Sequence, residues 1–222
     1  MLIFSVLLIS SYLIGSIPVA YLAVKIYRGV DIRNYGTGGV GGSNVFRNFS
    51  KPLGLLVGIF DAGKGALMVG IARLLGLDGV EQVVIATAVV IGHNWSVFLR
   101  FNAGRGVATT LGVDIILMPW LALIIGAVIL VILLVGSSPV PVLVGMVLLP
   151  VFSWFFHGPL SLTLGLIGFF LIMVVRRLSA PRMDRSCRVS VGELFLNRFL
   201  FDRDLRDKKE WAEAKHSSSP KK

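Results

Sequence analysis

The stretch from Leu53 to Leu77 reads LGLLVGIFDAGKGALMVGIARLLGL. Apart from Asp61, Lys64 and Arg73 it carries no charge. About 20 helical residues, rising about 1.5 Å each, cross a roughly 30 Å hydrocarbon core. The stretch therefore predicts a membrane-spanning helix. Its central charges add a constraint, because a carboxylate and an ammonium inside a span cost several kcal/mol unless paired or wetted. Asp61 and Lys64 are three residues apart, so they share a helix face and can pair. Two readings stand side by side: an ion pair that orients the helix, or a direct part of a substrate site.

Working outward, similar runs recur. Leu2 to Ala23 predicts a first span, with Pro18 inside it. Val83 to Leu99 predicts a third, after a turn marked by Asp78 and Glu81. Residues 107–136 are too long for one upright helix, and Met118-Pro119-Trp120 predicts a break into two short or tilted ones. Val140 to Phe156 and Leu160 to Val175 complete the series. The count is seven, with six as the alternative, so the expected fold is all-α, a polytopic membrane protein. Residues 1–178 read as the transmembrane unit and residues 179–222 as a basic cytoplasmic tail.

Composition agrees. Of the 222 residues, 55% are hydrophobic and 15% charged, against about 25% charged in an ordinary soluble domain. Charge is divided unevenly: 14 of the first 175 residues are charged, against 20 of the last 47. That pattern excludes a soluble globular protein, a disordered chain and a disulfide scaffold. The net charge of +10 does not imply nucleic acid, since basic residues beside apolar spans mark the cytoplasmic face. Seven spans with the N-terminus outside put loops 25–51 and 100–105 and the tail inside, where most Lys and Arg lie. Within the tail, Val191 to Trp211 sets Leu194, Phe195, Phe199, Leu200, Leu205 and Trp211 among charges, the pattern of an amphipathic interfacial helix on membrane lipid. Residues 216–222 read as disordered. One cysteine, Cys187, and three dispersed histidines provide neither a disulfide nor a local metal motif.

Chemistry concentrates in two loops. Residues 31–47 read DIRNYGTGGVGGSNVFR, with five glycines between positions 36 and 42. Glycine lets an anion approach backbone N–H groups closely. Gly36, Gly38 and Gly41 therefore read as a phosphate cradle, with Ser43 or Asn44 capping a following helix. Arg47 adds a cation suited to phosphate; the competing reading is a flexible loop. Gly104-Arg105-Gly106 presents a second cation on exposed backbone, either for phosphate or as a positive-inside anchor. His93 reads as a general base or as a hydrogen-bonded packing group. Asp114 is an isolated acid early in a span. Gly36-x-Gly38-x-x-Gly41 fits a dinucleotide fingerprint but lacks the preceding strand and the following acid. Gly58-x-x-x-x-Gly63-Lys64 begins like a Walker A loop, but Gly65 stands where a hydroxyl should hold magnesium.

Taken in order, Gly15-Ser16-Ile17-Pro18-x-Ala20-Tyr21-Leu22, Asp31-Ile32-Arg33, the glycine loop through Asn44-x-x-Arg47, Asp61-x-x-Lys64-Gly65, Gly92-His93 and Gly106-Val107-Ala108-Thr109 resemble the bacterial acyl-phosphate-dependent glycerol-3-phosphate acyltransferases, the PlsY family. The resemblance covers roughly residues 10–175. It implies a seven-helix inner-membrane enzyme of phospholipid biosynthesis with its active site on the cytoplasmic face. The reaction implied moves an acyl chain from acyl phosphate to the 1-hydroxyl of glycerol 3-phosphate, giving lysophosphatidic acid and phosphate without metal or coenzyme. A monomer is compatible with this reading.

The resemblance also implies site roles. Thr37 stands where the family has a serine and Ser43 where it has a threonine, so both hydroxyls are kept. Thr37, Arg47 and Arg105 become the catalytic candidates. Gly36, Gly38, Gly41, Ser43, Asn44, Lys64, His93 and Gly104 become substrate-binding candidates. Three departures stand out: Gly39 replaces an Asn, and Phe101-Asn102-Ala103-Gly104-Arg105-Gly106 replaces Phe-Lys-Gly-Gly-Lys-Gly. After the last helix, Arg176-Arg177-Leu178-Ser179-Ala180-Pro181 replaces an Arg-His-x-x-Asn-Ile motif, and no Gly-x-Glu follows. A changed acceptor, a non-catalytic paralogue and a small-anion transporter stay open beside the enzyme.

Overall fold

A computed structural model describes residues 1–135, 139–180, 189–207 and 211. Its regular structure among these residues is helical: α1 Leu2–Ser16, α2 Val19–Arg28, α3 Gly42–Asn48, α4 Lys51–Leu74, α5 Gly79–Asn94, α6 Val107–Leu117, α7 Pro119–Val135, α8 Val140–Phe155, α9 Leu160–Leu178 and α10 Val191–Phe201. Among the described residues, four stretches are long and apolar enough to cross a membrane: Leu2–Arg28, Lys51–Leu74, Gly79–Leu99 and Leu160–Leu178. α6, α7 and α8 are shorter apolar helices. Large apolar side chains lie exposed on outer faces, including Ile59, Phe60 and Leu67 on α4 and Leu160, Leu164 and Leu171 on α9. In water such faces would be a liability; lipid is the solvent that suits them.

Small residues set the packing inside. α1 lies against α5 and α4 against α6. A Cβ on Gly15 would strike the Val89 carbonyl, and one on Gly92 the Tyr12 carbonyl. Likewise Gly65 faces the Thr109 carbonyl and Gly112 the Ala62 carbonyl. Close backbone approach through small residues replaces the hydrophobic drive that is missing between helices in lipid. A core of Met68, Ile85, Val89, Val113, Leu166 and Phe169 fills the space between α4, α5, α6 and α9.

Several expectations change in detail. The first span is two helices, because Pro18 has no N–H to continue the ladder and Ile17 already leaves helical geometry. Asp78 and Glu81 do not form a loose turn. Asp78 is the N-cap of α5 and Glu81 returns the bond to its backbone, a reciprocal capping box that starts the helix earlier than Val83. The break near Pro119 holds, with α6 ending at Leu117 and α7 beginning at Pro119. α9 runs on to Leu178 and carries Arg176 and Arg177 into its last turn, where cations complement the helix dipole. The tail helix stops at Phe201 rather than reaching Trp211, because Asp202 turns left-handed (φ 53°, ψ 38°). The expected disorder of residues 216–222, like Cys187, lies outside the described residues.

Candidate active site

The glycine loop is built by its own side chains. Asp31 caps a short 3-10 turn at Ile32–Asn34, accepting from the Arg33 backbone N–H at 2.9 Å and pairing with its guanidinium. Burial alone would raise the Asp31 carboxyl, but the bonds to Arg33 hold it below its ordinary value. Gly36 turns with φ 52°, and a Cβ there would strike the Asn44 and Asn48 side chains. Neither Ser43 nor Asn44 caps a helix: Gly41 is the N-cap of α3, without a side-chain bond. Buried Asn44 instead spans the loop, donating to the Tyr35 carbonyl at 3.0 Å and the Gly39 carbonyl at 2.9 Å. It ties the cradle shut from below. Thr37 Oγ1 accepts from the Gly39 N–H at 3.2 Å. α3 is a seven-residue helix that rests on α4 and presents Arg47, exposed, in its last turn. Desolvation pushes the Arg47 guanidinium below its ordinary value, and the charge of Asp202 pushes back.

The second loop is tied to the first. Val40 N–H donates to the Ala103 carbonyl at 3.4 Å, and Ala103 and Gly104 donate to the Asn94 and His93 carbonyls at 3.3 and 3.1 Å. Arg176 clamps the same loop from α9. Its Nε donates to the Gly104 carbonyl at 3.2 Å, and Nη2 to Asn102 Oδ1 at 2.5 Å and the Ala103 carbonyl at 3.3 Å. Arg105, held in this loop, pairs through Nε with Asp202 Oδ1 at 2.8 Å, and its Nη1 reaches the Arg176 carbonyl at 3.5 Å. Arg177 donates to the Phe199 carbonyl at 2.8 Å and the Pro139 carbonyl at 3.3 Å. The charge of Asp202 is felt by Arg47, Arg176 and Arg177 as well as by Arg105. Arg105 pairs with that carboxylate directly, and Arg47, Arg176 and Arg177 lie within its electrostatic reach. Sequence reasoning singled out Arg47 and Arg105 as candidates. It missed Arg176, Arg177 and Asp202, and the signal available was the paired arginine at the point where the family's third motif departs.

Beneath the loops runs a buried chain of charge. Asp61 Oδ1 lies 2.9 Å from Lys64 Nζ and 3.4 Å from His93 Nδ1, ion-pair contacts that are not aligned as hydrogen bonds at that oxygen. Lys64 also donates to the Gly15 and Ile17 carbonyls at 2.8 and 3.3 Å, the carbonyls freed where α1 breaks at Pro18. The His93 ring packs directly on Gly104, where a Cβ would overlap its Nε2. Of the expected substrate ligands, then, Lys64 is committed to the protein itself, and His93 supports the second loop from below. Asp114 is buried with one carboxylate oxygen unpartnered; the cation left unnamed from the sequence is not supplied among the described residues.

Comparison with known proteins fits this arrangement. Residues 5–183 match the family model described as glycerol-3-phosphate acyltransferase. Two relatives from Dehalococcoides mccartyi strains carry the names glycerol-3-phosphate acyltransferase 4 and 5. The first is 44% identical over 215 residues, covering 94% of this chain and 93% of the relative. The second is 46% identical over 217 residues, covering 95% and 93%. Among solved structures, PlsY, an integral membrane glycerol 3-phosphate acyltransferase, superposes in its glycerol 3-phosphate form with TM-score 0.73 and 32% identity over 78% of this chain and 88% of that one. Its lysophosphatidic acid form gives 0.71 and 28% over 88% and 93%.

Fold and loops together define a multi-pass helical membrane protein with an arginine-rich face built on two interlocked glycine loops. The chain belongs to the glycerol-3-phosphate acyltransferase family, and the resemblance read from motif order holds.

Proposed function

We propose that this chain transfers an acyl group from acyl phosphate to the 1-hydroxyl of glycerol 3-phosphate, releasing lysophosphatidic acid and inorganic phosphate. The observation that carries the reading is the surplus of guanidinium groups around the two loops: beside the closed Arg33–Asp31 pair, Arg47, Arg105, Arg176 and Arg177 are set against the carboxylate of Asp202. Both substrates are phosphate anions, and an acyl phosphate arrives already activated. The protein's task is to hold two anions together and to neutralise charge as the phosphate leaves.

In this mechanism Arg47 and Arg105 grip the phosphates, and the glycine loop, with Gly36, Gly38 and Gly41, offers its backbone to one of them. Ser43 lies exposed on α3 beside it, and Thr37 supplies a hydroxyl at the reacting carbonyl. The substrate hydroxyl attacks that carbonyl, the bond from acyl carbon to phosphate oxygen breaks, and the hydroxyl proton ends on the departing phosphate. Asn44, Lys64, His93 and Gly104 hold the two loops in place rather than carrying the reaction. Seven spans, counting α6, α7 and α8 as short ones, put the N-terminus outside and the loops and tail at the cytoplasmic face, with α10 at the lipid interface and a single chain as the working unit. Transport of small anions fits less well, because the intramembrane Asp61–Lys64 pair is buried and spent on backbone carbonyls.

The test is phosphate release from acyl phosphate by the purified protein in lipid mesophase, with and without glycerol 3-phosphate. Release that needs the acceptor and yields lysophosphatidic acid is the expected result. Release indifferent to the acceptor, or none from folded protein, would overturn the assignment.

A further inference from the structure

The tail places an acid where the proposed reaction needs an anion. Asp202 sits at the C-cap of α10, its side chain 14% exposed, with Oδ1 2.8 Å from Arg105 Nε. It is not a passing contact. Arg198 holds the end of α10 to the Leu178 carbonyl at 2.7 Å and to Asp204 at 2.8 Å. From the other side, Arg177 on α9 grips the Phe199 carbonyl at 2.8 Å, three residues before Asp202. Leu194 is buried, and α10 packs on α9 and α8. The docking fixes one negative charge on Arg105, within the electrostatic reach of Arg47, Arg176 and Arg177.

We propose that Asp202 is a built-in counter-ion that sets the phosphate affinity of the arginine cluster, weakening its grip so that phosphate products can leave. This rests on the functional reading above and deepens it. Arg47 and Arg105 without a counter-charge would bind inorganic phosphate as readily as a substrate phosphate, and binding shared equally by ground and transition states adds nothing to the chemical step. A fixed carboxylate lowers that uniform attraction. It also offsets the repulsion of Arg105 on Arg176 and Arg177, and ties the Nε edge of Arg105 while leaving its Nη2 without a partner among the described residues.

The backbone at Asp202 is left-handed, which Asn and Gly adopt readily. Asp202→Asn and Asp202→Gly therefore remove the charge while keeping the turn. Calorimetric titration of the full-length purified protein with inorganic phosphate reads the effect. Both variants bind phosphate roughly tenfold tighter than wild type, the scale of one unit charge near a surface site. Asp202→Glu returns the affinity toward the wild-type value. In turnover the two neutral variants show a lower KM for glycerol 3-phosphate, stronger inhibition by phosphate and a lower kcat. A merely structural role predicts the opposite sign, since an undocked tail loosens the arginines. Unchanged or weaker phosphate binding in both neutral variants overturns the proposal. Wild-type protein that binds phosphate but transfers no acyl group would overturn the reaction and leave this inference standing; wild-type protein that binds no phosphate overturns both.

Discussion

Two groups of charges lie on either side of Gly104, and they are arranged on opposite principles. Below it, Lys64, Asp61 and His93 form a closed shell: the ammonium is spent on one carboxylate and two carbonyls, and all three side chains are buried. Above it, Arg105 pairs with Asp202 and Arg47, Arg176 and Arg177 lie within reach of the same charge, with more positive charge than the described protein returns. A balanced set inside a membrane holds helices in register. An unbalanced set at a loop face attracts anions. Charge count, rather than residue type or backbone satisfaction, separates the two sets, since Arg176 and Arg177 are as buried and as bound to carbonyls as Lys64.

The largest effect should come from breaking the lower set. Asp61→Ala leaves Lys64 buried without its partner and should cost about 3–5 kcal/mol, read as a large drop in melting temperature in detergent. The double change Asp61→Leu with Lys64→Met should be milder than the single one, because no charge is stranded. Equal losses would show that Lys64 draws its stability from the Gly15 and Ile17 carbonyls alone.

Within the upper set, Arg105 should respond more in rate than in stability. Arg105→Ala should lower kcat/KM for glycerol 3-phosphate by roughly 100- to 1000-fold, the usual cost of removing a charge that stabilises a transition state, with the melting temperature almost unmoved. A comparable fall in both would make Arg105 part of the scaffold and erase the contrast.

Gly104 is the hinge of the comparison. Gly104→Ala drives a methyl into the His93 ring and should cost about 1–3 kcal/mol as overpacking, while displacing Arg105 enough to slow transfer. Thermal melts and turnover measured on the same sample would reveal whether the two sets communicate. Far from both, Asp78→Ala removes one half of the α5 capping box and should cost only about 1 kcal/mol, with turnover per folded molecule unchanged.

Much of the helix layout was legible in the chain. Runs of apolar residues the length of a bilayer have few alternatives, and Pro119 and the charged margins punctuate them. The Asp61–Lys64 pair was legible too, because a three-residue spacing on a helix dictates a shared face. Helix starts were less so. Asp78 and Glu81 look like a polar turn until the backbone shows that each bonds the other's N–H. Asn44 looks like a cap and acts as a strut, a difference decided by where Tyr35 and Gly39 return to meet it.

The sequence by itself determined that this protein lives in a membrane, where its apolar helices lie, and that Arg47 and Arg105 border two glycine-rich loops. Those conclusions rest on local physics: hydropathy, helix period and backbone freedom. The tertiary structure alone decided that α9 and the tail bring Arg176, Arg177 and Asp202 to the same face, and that Lys64 serves the broken end of α1. Residues 97 positions apart, such as Arg105 and Asp202, carry no mark of one another in the chain. They meet because α10 docks on α9, and the charge balance that defines the site exists only after that docking.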